Sequence, residues 1–441
     1  MFFRSFRFSM NGIYIFSPEY WRNFFRSKEK ARLFENFVSL SVLQGLNYIL
    51  PLITFPYLVK VLGPEKFGLI SFAQAFIGYF QILTDYGFNL SATRDISIHR
   101  DNRRMVQEIF SSVMIIKFLL FLLSFLILSI LLIFIPRFRE DWIVYIFTFG
   151  VVLGNNVLFP IWFFQGVEQM RYITILHLVA KIISTASIFV FIREMSDYLY
   201  VPLISSAGSL VAGFLSLRII WKIFGVKFVF HSFRAIERQL KEGWHIFIST
   251  VAISLYTTSN TFLLGLFTNN TIVGYYSAAE KIVKATLSLL SPISQTIYPY
   301  TSKLANDSKE KAINFLKKIL KIVGSVTFLI SLLLFVFAVP LVNMVLGKQY
   351  QESIKVLRIL AFLPFIIGLS NVFAVQGLYA FGYQHVVSKF VVFISLIHLL
   401  VFSTLTYFFT LVGSSVSVVI TEILITFFSA KNYLRLIIKG A

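Results

Sequence analysis

The sequence predicts an all-α, polytopic membrane protein of about twelve transmembrane helices, arranged as two six-helix bundles around a central cavity. Three observations carry this reading. Of 441 residues, 57% are hydrophobic and 14% are charged, where a soluble domain carries about a quarter charged residues. Apolar runs of about 20 residues, enough to span roughly 30 Å of hydrocarbon, recur along the whole chain. Lys and Arg crowd into alternate connections between those runs, which is the pattern of cytoplasmic loops.

Composition also excludes function classes. The mean hydropathy is +0.79, and 51 Phe and 20 Tyr make the apolar mass largely aromatic. A formal net charge of +20 in a soluble chain would suggest a nucleic-acid surface. Here the cations sit between apolar runs, so no nucleic-acid partner is expected. With no cysteine, disulfides, thiolate metal sites and thiol catalysis are excluded. No cofactor is called for.

Residues 1–35 form a basic, aromatic arm without the small-residue cleavage site of a signal peptide. They are expected to lie in the cytoplasm against an anionic leaflet, and Met10 is an alternative start. Apolar segments follow at 37–60, 67–92, 108–135, 142–165, 172–192, 200–221, 244–267, 272–299, 315–339, 354–379, 386–411 and 413–437. Backbone groups in lipid need internal partners, so these are helices. Segments 67–92 and 272–299 are the least apolar and hold charges, which places them in the interior. One set of loops holds Arg94, Arg100, Arg103 and Arg104, then Arg171, then Arg218 to Lys241, then Lys303 to Lys318. The opposite set holds only Lys60, Lys66, Arg137, Arg139, Arg193 and Lys348. Both termini are therefore expected in the cytoplasm.

The two halves resemble each other. Gly68 to Gln74 and Gly274 to Glu280 share the pattern G-x-x-S-x-A-[QE], 206 residues apart. Gln165-Gly166 and Gln376-Gly377 match at a displacement of 211. An even number of spans per repeat gives both units one orientation, with a pseudo-two-fold axis along the membrane normal. The expected division is 36–221 for the first bundle, 222–243 for a cytoplasmic linker, and 244–441 for the second.

Ionisable groups at membrane depth are costly and are functional candidates. They are Asp85, Lys181, Glu280, Lys281, Lys284, His398 and Glu422. Glu280 and Lys284 share a helix face and could pair, while Lys281 points about 100° away. Lys181 has no acid on its own helix and could meet Glu422 or Asp85. Lys117, Lys321, Lys355 and Arg358 sit nearer span ends, where snorkelling explains them. The lysines Lys181, Lys281 and Lys284 suit an anionic cargo such as a phosphate or pyrophosphate. Asp85, Glu280, Glu422 and His398 suit a coupling cation, H+ or Na+. No G-x-S-x-G, H-E-x-x-H or P-loop occurs, so an enzyme is not expected. The six histidines show no metal-ligand spacing.

Asn47 to Thr54, Pro56-Tyr57-Leu58, Leu62 to Glu65, Gly68 to Gln74 and Asp85 to Arg94 form a run similar to the start of the bacterial O-antigen and polysaccharide repeat-unit flippases. Those belong to the multidrug, oligosaccharidyl-lipid and polysaccharide exporter superfamily. Phe164 to Met170 resembles that family's segment after the fourth span. The resemblance implies translocation of undecaprenyl-pyrophosphate-linked oligosaccharide from the cytoplasmic to the periplasmic leaflet by alternating access. It makes Asp85 and Arg94 the carried-over positions, with Arg94 a substrate contact. Lipid and other membrane proteins of polysaccharide assembly are the further partners it allows. The alternative is a cation-coupled efflux transporter of the same superfamily. A polymerase or ligase fits worse, because the outer loops near 136–141, 193–199, 268–271 and 340–352 are short.

Overall fold

The computed structural model describes residues 28–229 and 232–438. The N-terminal arm up to residue 27, with Met10, lies outside the described residues, as do His231 and Lys439. Among the described residues the chain is helical, with no strand. Helix α1 (Lys28–Asp85) runs 58 residues and joins the first two expected spans. It breaks at Gly63, where φ is 68°, a conformation glycine adopts without a Cβ penalty. Pro64 follows the break and lacks an N–H to continue the ladder. After Tyr86 and Gly87 comes α2 (Phe88–His99).

Helix α3 (Arg103–Phe134) starts at Asn102, whose side chain accepts the Met105 N–H at 3.2 Å. That contact satisfies one of the unpaired donors of a helix start. The fourth span is composite: α4 (Trp142–Val151), a π-helical segment Val152–Leu158, then α5 (Ile161–Gly166). Helices α6 (Arg171–Phe191) and α7 (Tyr200–Lys222) complete the first half. The second half holds α8 (Phe233–Thr257), α9 (Ser259–Phe267), α10 (Asn270–Ser288), α11 (Leu290–Asp307) and α12 (Lys309–Val336). Then come α13 (Ser353–Leu360), α14 (Leu363–Asn371), a π-helical segment Val372–Tyr379, and α15 (Gln384–Tyr433). These two π segments fall in the fourth and tenth expected spans, the first ahead of Gln165-Gly166 and the second containing Gln376-Gly377.

Eight helical stretches among the described residues are long and apolar enough to cross a membrane. The two longest, Ser41–His99 and Gln384–Leu436, run 59 and 53 residues, more than twice the length of a single crossing. Each is broken partway, at Gly63 and Thr410. The segments expected at 244–267 and 272–299 are helical as well, but they carry more polar and charged side chains and fall outside those eight.

Thr410 has φ 45° and ψ −116°, a region that costs a β-branched residue on the order of 1–3 kcal/mol. Thr410→Gly is expected to stabilise the protein by about 1 kcal/mol, read as a higher Tm in detergent. An unchanged or lower Tm would show that the bend is not strained.

One core cluster draws only on residues of the first half and the start of α8, around Phe88, Phe110 and Trp162. A second lies within the second half, around Leu316, Leu378 and Tyr433. The largest crosses between halves, packing Leu62, Phe72 and Phe76 of α1 with Leu264 and Tyr276 of α9 and α10. Phe262 stacks on Phe72 and Phe76 at 5.6 and 5.4 Å.

The tightest crossing uses the first repeat match. A Cβ on Gly68 would lie 1.8 Å from the Asn270 carbonyl oxygen, and one on Gly274 would lie 1.9 Å from the Pro64 oxygen. Pro64 and Asn270 are themselves 206 residues apart. Each repeat thus presents the same two positions to the other, the reciprocal contact of a two-fold interface. The second match behaves differently. Gly166 packs on Ile96, whereas Gly377 packs on Tyr433.

Candidate functional site in the second half

The interior charges sort into three places. The richest is a cavity of about 190 Å³ in the second half. It brings together Glu280, Lys284, His398 and Glu422, four of the eight residues singled out in the sequence. Helix periodicity puts Glu280 and Lys284 on one face of α10, and they pair at 2.9 Å. Glu280 is largely buried, while the Lys284 side chain is 57% exposed.

The break at Thr410 folds α15 back, so that His398 before it meets Thr421 after it. His398 Nδ1 lies 2.7 Å from Thr421 Oγ1, and Nε2 lies 2.8 Å from Asn260 Oδ1 of α9. Thr421 Oγ1 itself donates to the Ser417 carbonyl at 2.9 Å. Buried and held at each nitrogen, His398 has a fixed ring orientation. Glu422 lines the same cavity and forms no ion pair among the described residues. Two carboxyl groups, an imidazole and neutral oxygens in one enclosure can take up and release a proton or a sodium ion.

Lys281 lies about 100° around α10 from Glu280. Its Nζ sits 4.7 Å from the Phe67 ring centroid and 5.6 Å from that of Phe55. The rings belong to α1, so Lys281 stands at the junction of the halves. Its side chain is exposed there, and no carboxylate pairs with it among the described residues. A cation over aromatic faces keeps its charge available to an anion while gaining some compensation from the rings.

The second place lies in the first half. Asp85 Oδ1 pairs at 3.1 Å with Lys117 Nζ, which is 2% exposed. Lys117 also donates to the Asn156 carbonyl at 3.1 Å, in the π segment. The Asn156 amide donates back to the Gln81 carbonyl at 2.8 Å. Lys117 therefore does not snorkel. It sits fourteen residues into α3, roughly 21 Å along the axis, deeper than the expected span start at 108 implied. Lys181 on α6 meets neither Glu422 nor Asp85. Its Nζ donates to Asn47 Oδ1 of α1.

The third place is the middle of α2. Arg94 is exposed there and acts electrostatically on Glu242 of α8. Beside it, Gln239 Nε2 donates to Asp95 Oδ2 at 2.8 Å, tying α8 to α2. Neither Arg94 nor Lys181 lines the cavity of the second half. Asn260, Thr421 and Asn156 escaped sequence reasoning because neutral amides and hydroxyls carry no charge signature in an apolar run, and Asn47 entered it only as part of the family-like run.

The family model described as "Polysaccharide biosynthesis protein" matches residues 33–305. A named candidate O-antigen transporter of Escherichia coli (strain K12) is 36% identical over 397 residues, covering 90% of this chain and 95% of that one. A counterpart of Shigella dysenteriae is 28% identical, covering 90% and 99%. Among solved structures, a multidrug resistance MATE family transporter in an inward-facing conformation superposes with a TM-score of 0.69 at 13% identity, covering 92% and 100%. Lipid II flippase MurJ in an inward closed conformation superposes at 0.64 and 14% identity, covering 91% and 90%. At those identities the likeness is one of fold.

Proposed function

The chain belongs to the polysaccharide biosynthesis protein family, and from that premise we infer that it is a flippase for a lipid-linked oligosaccharide in a multi-pass membrane setting. The observation that carries this reading is the 36% identity, over nearly the full length of each chain, with a named candidate O-antigen transporter. The physical problem fits. Sugars and a pyrophosphate cannot enter hydrocarbon unaided, since each unsatisfied polar group costs on the order of kcal/mol.

The finer reading is our proposal. The cargo is undecaprenyl-pyrophosphate-linked, and it moves from the cytoplasmic to the periplasmic leaflet of the inner membrane. Both termini lie in the cytoplasm. Halves 36–221 and 244–441 rock about the junction that holds Lys281, with 222–243 as linker. Lys281 meets the pyrophosphate, assisted by Lys284 and, at other stages of passage, by Lys181 and Arg94. Glu422, Glu280 and His398 take a coupling cation, and Asp85 serves the first half in the same way through Lys117. Coupling requires that the cation bind one state more tightly than the other.

The decisive experiment deletes the gene and follows lipid-linked repeat units. Accumulation on the inner leaflet with loss of surface polymer is expected, and unchanged surface polymer would reject the reading. Lys281→Ala is expected to lower surface polysaccharide at least tenfold at normal protein level. Normal polymer in that variant removes Lys281 from the head-group role. Glu422→Gln is expected to flatten the dependence of transport on the proton or sodium gradient. A preserved gradient dependence would clear Glu422 of coupling. The MATE-like fold also fits cation-coupled efflux, but fold does not set cargo. Drug resistance on expression, without a polysaccharide phenotype, would favour that reading.

A further inference from the structure

A second cavity, of about 290 Å³, adjoins the charged one and shares Leu287 and Ile367 with it. We propose that this cavity binds a sugar ring of the cargo through neutral hydroxyl and amide groups, chiefly those of Ser294, Gln295, Asn371 and Gln376. The proposal rests on the flippase reading and adds where the saccharide part is recognised.

The lining contains no ionisable side chain. A pyrophosphate or a coupling ion would find no opposite charge here, which separates this compartment from its neighbour. Its polar groups come mainly from α11, which begins LSPISQTIYPY. That stretch is rich in Ser, Gln, Thr and Tyr yet free of charge. An uncharged polar helix is a poor choice against lipid, where each such group needs a partner. It suits a ligand that is itself neutral and rich in hydroxyl groups. Leu290, Ile293 and Ile297 supply apolar surface for the C–H faces of a ring.

The donors and acceptors are already oriented. Ser294 Oγ donates to Asn371 Oδ1 at 3.0 Å. Gln376 Nε2 donates to the Ser294 carbonyl at 3.0 Å and contacts its Oγ at 2.9 Å. Those contacts pin Gln376, which is 1% exposed. Its Oε1 remains buried without a hydrogen-bond partner. An acceptor left in that state costs on the order of 1–3 kcal/mol, and an incoming hydroxyl would supply the missing donor. Gln376 belongs to the Gln-Gly repeat match, and a packing role explains Gly377 but not this side chain.

The test compares two ligands on the full-length protein in nanodiscs. One is the polyprenyl-pyrophosphate oligosaccharide extracted from a deletion strain. The other is sugar-free undecaprenyl pyrophosphate. Asn371→Ala is expected to weaken binding of the glycosylated lipid at least tenfold and to leave the sugar-free lipid within twofold. Gln295→Ala, at an exposed position of α11, is expected to act in the same direction and guards against misfolding of the first variant. Equal loss for the two ligands, or no loss for either, overturns the sugar site. A wild-type protein that binds neither lipid would instead sink the flippase reading, and this proposal with it.

Discussion

Gly68→Ala is expected to reduce surface polysaccharide about a hundredfold while the protein stays in the membrane at normal level. The added Cβ would stand 1.8 Å from the Asn270 carbonyl oxygen and 2.6 Å from the Gly274 nitrogen. Both are backbone atoms of α10 and cannot swing aside as a side chain could. Overpacking of this kind costs about 1–3 kcal/mol or more. At about 3 kcal/mol against one arrangement of the halves, its population falls roughly a hundredfold. Gly274→Ala is expected to do the same, because the contact is reciprocal through Pro64. The check is a disulfide between P64C and N270C, which should form readily with glycine at position 68 and fail in the G68A background. Full transport together with an intact cross-link would refute the role of this contact.

Lys117→Met carries the largest expected cost to folding. It leaves Asp85, 22% exposed, without its cation, and removes the donor to the Asn156 carbonyl. Breaking a buried pair from one side costs about 3–5 kcal/mol. Residual access of Asp85 to solvent argues for the lower end of that range. The expected result is a Tm several degrees lower and a reduced membrane level. The double variant K117M/D85N removes the stranded charge and should recover much of the loss, since replacing both partners of an ion pair is far less costly than removing one. A double variant as unstable as K117M would mean that the lysine acts through packing alone. Transport by the double variant then reports separately on Asp85 in coupling.

How much of this was legible beforehand depends on the range of the interaction. The repeat between Gly68 and Gly274 could be read as a pattern, and the matched offset pointed to two related halves. That the two glycines touch each other could not be read, because nothing in either segment encodes its partner. Glu280 and Lys284 are four residues apart on one helix, so their pairing followed from periodicity. Lys117 and Asp85 are 32 residues apart and on different helices. Distance from the nearest span end suggested snorkelling, whereas the side chain turns inward. Lys181 illustrates the same limit. Its partner is the neutral Asn47, which a search for opposite charges passes over.

The amino-acid order by itself determined that this is a helical, multi-pass membrane chain of a recognisable transporter family. Apolar runs and hydrogen-bond satisfaction in hydrocarbon act residue by residue, so they can be counted along a line. Tertiary structure alone decided which polar groups share an enclosure. The reversal at Thr410 brings His398 to Thr421, and packing sets a charged cavity beside a neutral one. Such contacts join residues far apart in the chain, and their energies depend on distances that no linear pattern contains.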